Sequence, residues 1–212
     1  MDAIHYYSLD NKYLYELAKF VVEENYNHHA PSESMEFQDE VNLVYAEEEQ
    51  LNNSKIFAAK NDNGSMVGSI RVLRWNLVDQ LPTQKLFDIN PLTIESNSNN
   101  AIYHIGRFAV KQGIDRSGFV VFKTLMTYAI NEVCKYENSF ALAECDAKLL
   151  KVVKLLGIQA HVISDSIYYL GSDTIPVLLP YKGLKKFLDK NKHLIMSKSD
   201  ELHKTVVFDG SV

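Results

Sequence analysis

The first periodic run in the chain is Leu14, Leu17, Ala18, Val21 and Val22. Apolar residues three and four apart share one side of a helix, so this spacing predicts a helix over residues 13–24. His28, His29, Ala30, Pro31 and Ser32 end it, and residues 33–53 form an acidic stretch without a period, read as irregular. Lys55 to Ala59 is short and apolar, Asn61-Asp62-Asn63-Gly64 carries turn chemistry, and residues 66–73 return, which predicts a β-hairpin. Residues 76–100 hold Pro82, Pro91 and a polar run from Glu95 to Asn100, and they read as a long excursion of the kind that serves function or motion.

Residues 101–110, AIYHIGRFAV, make the clearest strand, which passes through a turn at 111–118 into a helix. There Phe122, Leu125, Met126, Ala129, Ile130 and Val133 form an apolar stripe. Residues 140–145 are a further strand. The helix over 147–156 turns Leu149, Val152, Val153 and Leu156 inward and Lys148, Lys151 and Lys154 outward, and Gly157 occupies the position that a C-terminal cap prefers. Closing strands are predicted at 161–170 and 175–179, and a last helix at 184–190. The order predicts an α+β fold, a mixed α/β sheet with helices on its faces.

Composition narrows the class. With 212 residues, 46% hydrophobic and 23% charged, the chain suits one domain over residues 1–212 that buries its own core. No apolar run reaches the length of a membrane span, and the first residues resemble no signal peptide. Cys134 and Cys145 cannot make a disulfide framework and suit a reducing, cytoplasmic setting. Residues 1–100 carry 7 Lys/Arg against 16 Asp/Glu, while residues 101–212 carry 15 against 11. A basic nucleic-acid binder would not have this balance. The asymmetry is either a chance grouping of surface charge or a sign that the C-terminal half meets something anionic.

The informative unit is the strand, turn and helix over residues 102–126. A helix N-terminus offers unpaired N–H groups to an anion, and Gly113, Arg116 and Gly118 lie in the turn before it. The turn matches neither a Walker loop nor a dinucleotide fingerprint, so it is an ordinary connection or a phosphate holder. His28-His29 has no supporting ligand cluster, and no nucleophile-elbow pattern occurs, which disfavours a metal centre and a serine hydrolase. Arg71 and Arg107 fall on strands expected to be adjacent, where buried cations need anions. Either Glu36, Asp39 or Glu40 supplies them, or the pair receives an acceptor carboxylate.

Ile105-Gly106-Arg107-Phe108-Ala109-Val110, after a loop with Leu86-Phe87 and Asn90-Pro91, resembles the SRFAV strand of the acyl-homoserine lactone synthases and of the long-chain N-acyl amino acid synthases. Both are variants of the GNAT acyltransferase fold. Val67 to Val72 is similar to their G-x-x-R-L strand, Cys145 to Ile158 to their following helix, Tyr168 to Gly171 to a closing strand, and Met35 to Glu40 loosely to their acidic N-terminal motif. The resemblance spans roughly residues 14–190 and implies a GNAT fold with a central, mostly antiparallel sheet flanked by helices. It implies that a pantetheine arm lies along Phe108, Ala109 and Val110, with Arg116, Ser117, Gly118 and Phe119 facing its phosphate. The small positions of the acetyl-CoA pattern R/Q-x-x-G-x-G/A are here Phe119 and Val121, a departure shared by synthases that take acyl groups from acyl carrier protein. Lys148, Lys151 and Lys154 would suit that acidic partner, or are solvated surface lysines.

The synthases carry a glutamate three residues before the strand arginine, and this chain has His104 there. Histidine titrates near neutrality and suits a general base, although a structural histidine fits the position equally. Glu144 is the second candidate base, or the partner of a lysine. The tyrosine that many GNAT enzymes use as an acid is replaced by Val152 and Val153, with Tyr168 or Tyr169 as substitutes. The resemblance thus implies an N-acyltransferase without a metal, moving a long acyl group from acyl-CoA or the phosphopantetheine of acyl carrier protein to an amine, taken as an amino acid. The competing readings are a short-chain acetyl-CoA-dependent N-acetyltransferase and a GNAT-fold module that binds without turnover.

Overall fold

A computed structural model describes residues 3–28, 37–51, 53–94, 101–114, 119–169 and 172–196. In chain order the elements are β1 (His5–Leu9), α1 (Leu14–His28), α2 (Phe37–Glu49), β2 (Ser54–Lys60), β3 (Met66–Arg74) and α3 (Pro82–Phe87). There follow β4 (Ala101–Val110), α4 (Val120–Val133), β5 (Ser139–Cys145), α5 (Ala147–Leu155), β6 (His161–Val162), β7 (Ile167–Tyr169), β8 (Ser172–Pro180), α6 (Tyr181–Asn191) and α7 (His193–Met196). The strands align as β1-β2-β3-β4-β5-β8-β6, with β7 also on β8. Among the described pairs only β4 and β5 run parallel.

Alternation along the strands sorts the core into two layers, because successive side chains point to opposite faces. Phe57 and Ala59 of β2 join Val67, Ile70 and Val72 in the cluster built by α4 and α6. Ile56 and Ala58 point the other way, onto Leu14, Leu17 and Phe20 of α1. The mostly antiparallel sheet flanked by helices is thus as expected from the sequence.

Four elements were not anticipated, the last of them the single turn α7. The stretch 33–53 contains α2, whose inward face is Val41, Val44 and the buried carboxylates Glu40 and Glu48, so acidic residues masked a helical stripe. The excursion 76–100 contains α3, started by Pro82 in the first turn, where its missing N–H costs nothing. β1 is five residues long and sends only Tyr6 deep into the core, too short to show a period. The closing strand expected over 161–170 is broken into β6 and β7, and Leu170 lies outside the described residues. Gly157 does cap α5: it adopts φ 84°, and Ile158 N–H bonds the Val153 carbonyl at 3.1 Å.

The feature that shapes the molecule is a split between β4 and β5. They pair from Ala101 opposite Ser139 to Ile105 opposite Ala143 and no further. Beyond that point β4 stays on β3 to Val110, and β5 stays on β8. The cause lies in β4. Opposite β3 the register shifts between Ser69 and Arg71, and Arg107 adopts φ 49°, so an extra residue is accommodated as a bulge. Bulges bend and twist the strand that carries them, here away from β5. A side chain in this left-handed region costs about 1–2 kcal/mol, so something must hold Arg107 in place.

Candidate active site

Arg71, His104 and Glu144 occupy neighbouring strands and share the parity of Leu73, Ile102 and Leu142, which pack with Leu81 of the excursion. All three therefore project to the α1–α3 side of the sheet, at the point where it splits. The excursion adds Thr83, fully buried on α3, and α2 adds Glu47 and Glu48.

The side chains form one chain of contacts. The Thr83 hydroxyl donates to Glu144 Oε1. Glu144 Oε2 lies 2.7 Å from His104 Nε2, and His104 Nδ1 lies 3.1 Å from an Arg71 Nη2. A guanidinium only donates, so His104 accepts at Nδ1 and its proton sits on Nε2, donated to Glu144. Arg71 Nε approaches Glu48 Oε2 to 3.0 Å, an ion pair too bent to count as a hydrogen bond. Arg107 donates from Nε to Glu48 Oε1 at 2.7 Å and from Nη2 to Glu47 Oε2 at 2.5 Å. Tyr169 donates to Glu47 Oε1 at 3.2 Å.

Among the described residues the partners of the two arginines are thus Glu47 and Glu48, not Asp39 or Glu40. Asp39 is exposed, Glu40 is buried beside Tyr26, and Glu36 lies outside the described residues. Glu47 and Glu48 are hidden in the sequence because residues 33–53 read as irregular. With the arginines known, Glu48 lies four residues after Val44 and seven after Val41, on one helical face, and that spacing is the signal that finds it. Thr83 left no comparable signal.

Burial alone would raise the Glu144 carboxyl, but the pairing with His104, the Thr83 hydroxyl and the Arg71 charge outweigh it and hold it below its ordinary range. Glu48 is likewise held low against burial, by Arg71 and Arg107. Burial and the Glu47 charge push the Tyr169 phenol up to about 12, so it stays protonated as a donor. The Cys145 thiol at the same cavity is pushed up to about 12, chiefly by burial, and is no thiolate nucleophile. Arg71 is 1% exposed, and its Nη1 has no hydrogen-bond partner among the described residues.

A cavity of about 510 Å³ opens through the split. Its walls include His104 and Glu144 from one face of the sheet and Phe122, Met126, Val177 and Leu179 from the other. Phe108, Ala109 and Val110 line it, Phe108 edge-on to Phe122 at 4.5 Å between centroids. Phe119 stands at its rim, 38% exposed, just before α4. Arg116, Ser117 and Gly118 lie outside the described residues. Tyr169 lines the cavity whereas Tyr168 is exposed. Lys148, Lys151 and Lys154 are exposed along α5.

No protein-family model and no curated protein matches the sequence. Solved structures do. FeeM, an N-acyl amino acid synthase from uncultured soil microbes, superposes with a TM-score of 0.63 at 14% identity, over 91% of this chain and 99% of that one. An acetyltransferase of the GNAT family from Staphylococcus aureus Mu50 superposes at 0.55 with 16% identity, over 84% and 99%. The AHL synthase LasI superposes at 0.52 with 14% identity, over 90% and 95%. The chain has the GNAT acyltransferase fold.

Glu48→Gln leaves two buried guanidinium groups without their shared carboxylate, so urea unfolding at pH 7 loses about 3–5 kcal/mol. The folded-state shift of Glu48 is downward from 4.5, so its contribution is present above that value and is lost as pH falls through the folded value. The wild-type protein therefore loses stability more steeply than Glu48→Gln below about pH 4.5. At Gly106, an added Cβ would sit 2.8 Å from Arg71 Nη2 and 3.1 Å from His104 Cε1. Gly106→Ala displaces both and lowers kcat by about 10²-fold, in an assay of the reaction below, with the fold retained by circular dichroism.

Proposed function

We propose that this chain is a single-domain N-acyltransferase that moves a fatty acyl group from a pantetheine thioester, on acyl carrier protein or CoA, to the amine of an amino acid. The observation that carries this reading is the cavity through the split sheet, with a carboxylate–histidine unit on one side and an apolar wall on the other. The acyl chain occupies the apolar side between α4, β5 and β8, and the thioester carbonyl stands at the split. β4 residues 106–110 have no strand partner on the β5 side among the described residues, so main-chain groups of this edge other than the Arg107 carbonyl, which accepts the Ser69 hydroxyl, and the Val110 carbonyl, which His28 approaches, can pair with the amides of a pantetheine arm, and one N–H can hold the oxyanion.

The acceptor meets Glu144. Two guanidinium groups, Arg71 and Arg107, face three carboxylates, Glu47, Glu48 and Glu144, so these five side chains carry one net negative charge and favour an ammonium, whose free base, formed by loss of a proton to solvent, is the nucleophile. The amine nitrogen forms its bond to the acyl carbon and the C–S bond breaks. The nitrogen proton passes to Glu144, which His104 and Thr83 hold in position, and leaves on the departing thiolate. A carboxylate with a low pKa suffices, because the nitrogen becomes far more acidic once bonded to the tetrahedral carbon. The unpartnered Nη1 of Arg71 is the donor available to an acceptor carboxylate, while Arg107 is committed to its own glutamates.

Thiol release from acetyl-CoA, palmitoyl-CoA and a long-chain acyl carrier protein, with an amino-acid pool and mass spectrometry of products, tests the reading. Release that needs the amine and favours long chains is expected. Release from acetyl-CoA alone would reassign the chain as a short-chain acetyltransferase, and no release from any donor would overturn the enzyme reading. Glu144→Gln lowers kcat by about 10²–10⁴-fold, and Thr83→Val lowers it by less with KM unchanged.

A further inference from the structure

The cavity has a second polar end, distant in sequence from the Glu144 unit. Where β4 runs out, Glu24 of α1 is 3% exposed and lines the cavity together with His28, Gln112 and Lys148. Its Oε2 accepts the Gln112 N–H at 3.2 Å, and its Oε1 accepts Asn27 Nδ2 at 3.3 Å. His28 Nε2 lies 3.8 Å from Oε2 and 3.5 Å from the Val110 carbonyl. The neighbouring N–H of Lys111 bonds the Val67 carbonyl at 2.9 Å. The first two amides after β4 are therefore already taken by acceptors of the protein itself, one of them a carboxylate.

This matters for the donor, given the acyltransferase reading on which the inference rests. With its carbonyl at the split beside Glu144, an extended pantetheine arm on the free edge of β4 runs past Val110. At about 3.3 Å per residue the strand from Gly106 to Val110 spans about 13 Å, and a longer arm continues beyond it to the turn that holds Gln112. Its phosphate end then arrives beside Glu24. A diphosphate there finds no free amide at Lys111 or Gln112 and meets a fixed carboxylate. A single phosphate, or none, can stay at the rim, where Lys111 and Lys148 also line the cavity.

We infer that Glu24 is a specificity residue, an internal anion seated on the turn after β4 that selects donors carrying one phosphate or none over the diphosphate of CoA. Calorimetric binding of CoA, 4′-phosphopantetheine and pantetheine to the full chain tests this. Glu24→Gln keeps an acceptor for Gln112 N–H and removes the charge. It is expected to tighten CoA about tenfold and to leave pantetheine within about twofold. His28→Ala, which strips a positive-capable neighbour from the carboxylate, weakens CoA and spares pantetheine. In turnover, Glu24→Gln raises kcat/KM for an acyl-CoA through KM while the matched acyl-pantetheine is unchanged. An unaltered CoA-to-pantetheine ratio in Glu24→Gln, or a parallel loss for both ligands in a variant with wild-type Tm, would overturn it. Thiol release failing for every donor would instead strike the acyltransferase reading, and the binding ratios would still decide the role of Glu24.

Discussion

The geometry of this molecule hangs on one carboxylate. The Glu48 side chain is wholly buried, and a lone carboxylate there would be too costly to keep. It is sustained because Arg71 of β3 and Arg107 of β4 both reach it. In pairing with it they fasten α2 across two strands. Arg107 is also the residue whose left-handed backbone makes the β4 bulge, so the ion pairs that hold its side chain hold the bulge. The conformational cost of the bulge, about 1–2 kcal/mol, is small beside what those pairs lose when broken.

From the bulge follows the split, and from the split the chemistry. A continuous sheet would separate its two faces. Because β5 leaves β4 after Ile105, residues of opposite parity line one space: Glu144 and His104 belong to the α1–α3 side, Phe122 and Met126 to the α4 side. That division suits a reaction between a polar amine and an acyl chain, because each reactant has its own face and they meet where the strands part. The proposed N-acyl transfer uses the sheet as the partition between them.

Much of this was legible in the sequence. The run AIYHIGRFAV is β4 to the residue, the Asn61–Gly64 turn is where the hairpin reverses, and the stripe from Phe122 to Val133 is the face that α4 buries. The shared face of Arg71, His104 and Glu144 follows from period two once the strands are set. What escaped was polarity inside the core. α2 hides because two of its four buried residues are glutamates, and patterning by hydrophobicity counts those as exposed. Asp39 and Glu40, two of the expected partners of Arg71 and Arg107, lie about two helix turns or more before Glu47 and Glu48, and without the helix there is no face on which to place Glu48. Thr83 sits in a six-residue helix too short for a period, and its link to Glu144 spans 61 positions.

The replacement at position 104 is explained by the same accounting. Its neighbours are a group that only donates, Arg71, and a carboxylate that only accepts, Glu144. A glutamate at 104 would face Glu144 with like charge. A lysine would face Arg71 in the same way. Neutral histidine accepts on one nitrogen and donates on the other, so it completes the sequence from Thr83 through Glu144 and Arg71 to Glu48 without a mismatched contact. The arrangement also engages both ring nitrogens, at 3.1 and 2.7 Å, whereas each Glu144 oxygen, accepting one bond, keeps a second lone pair for the amine of the proposed transfer. In the proposed transfer His104 then acts by fixing the orientation and charge of Glu144. In this chain the residue next to the bulge has become the joint between the structural ion pairs and the proposed proton acceptor.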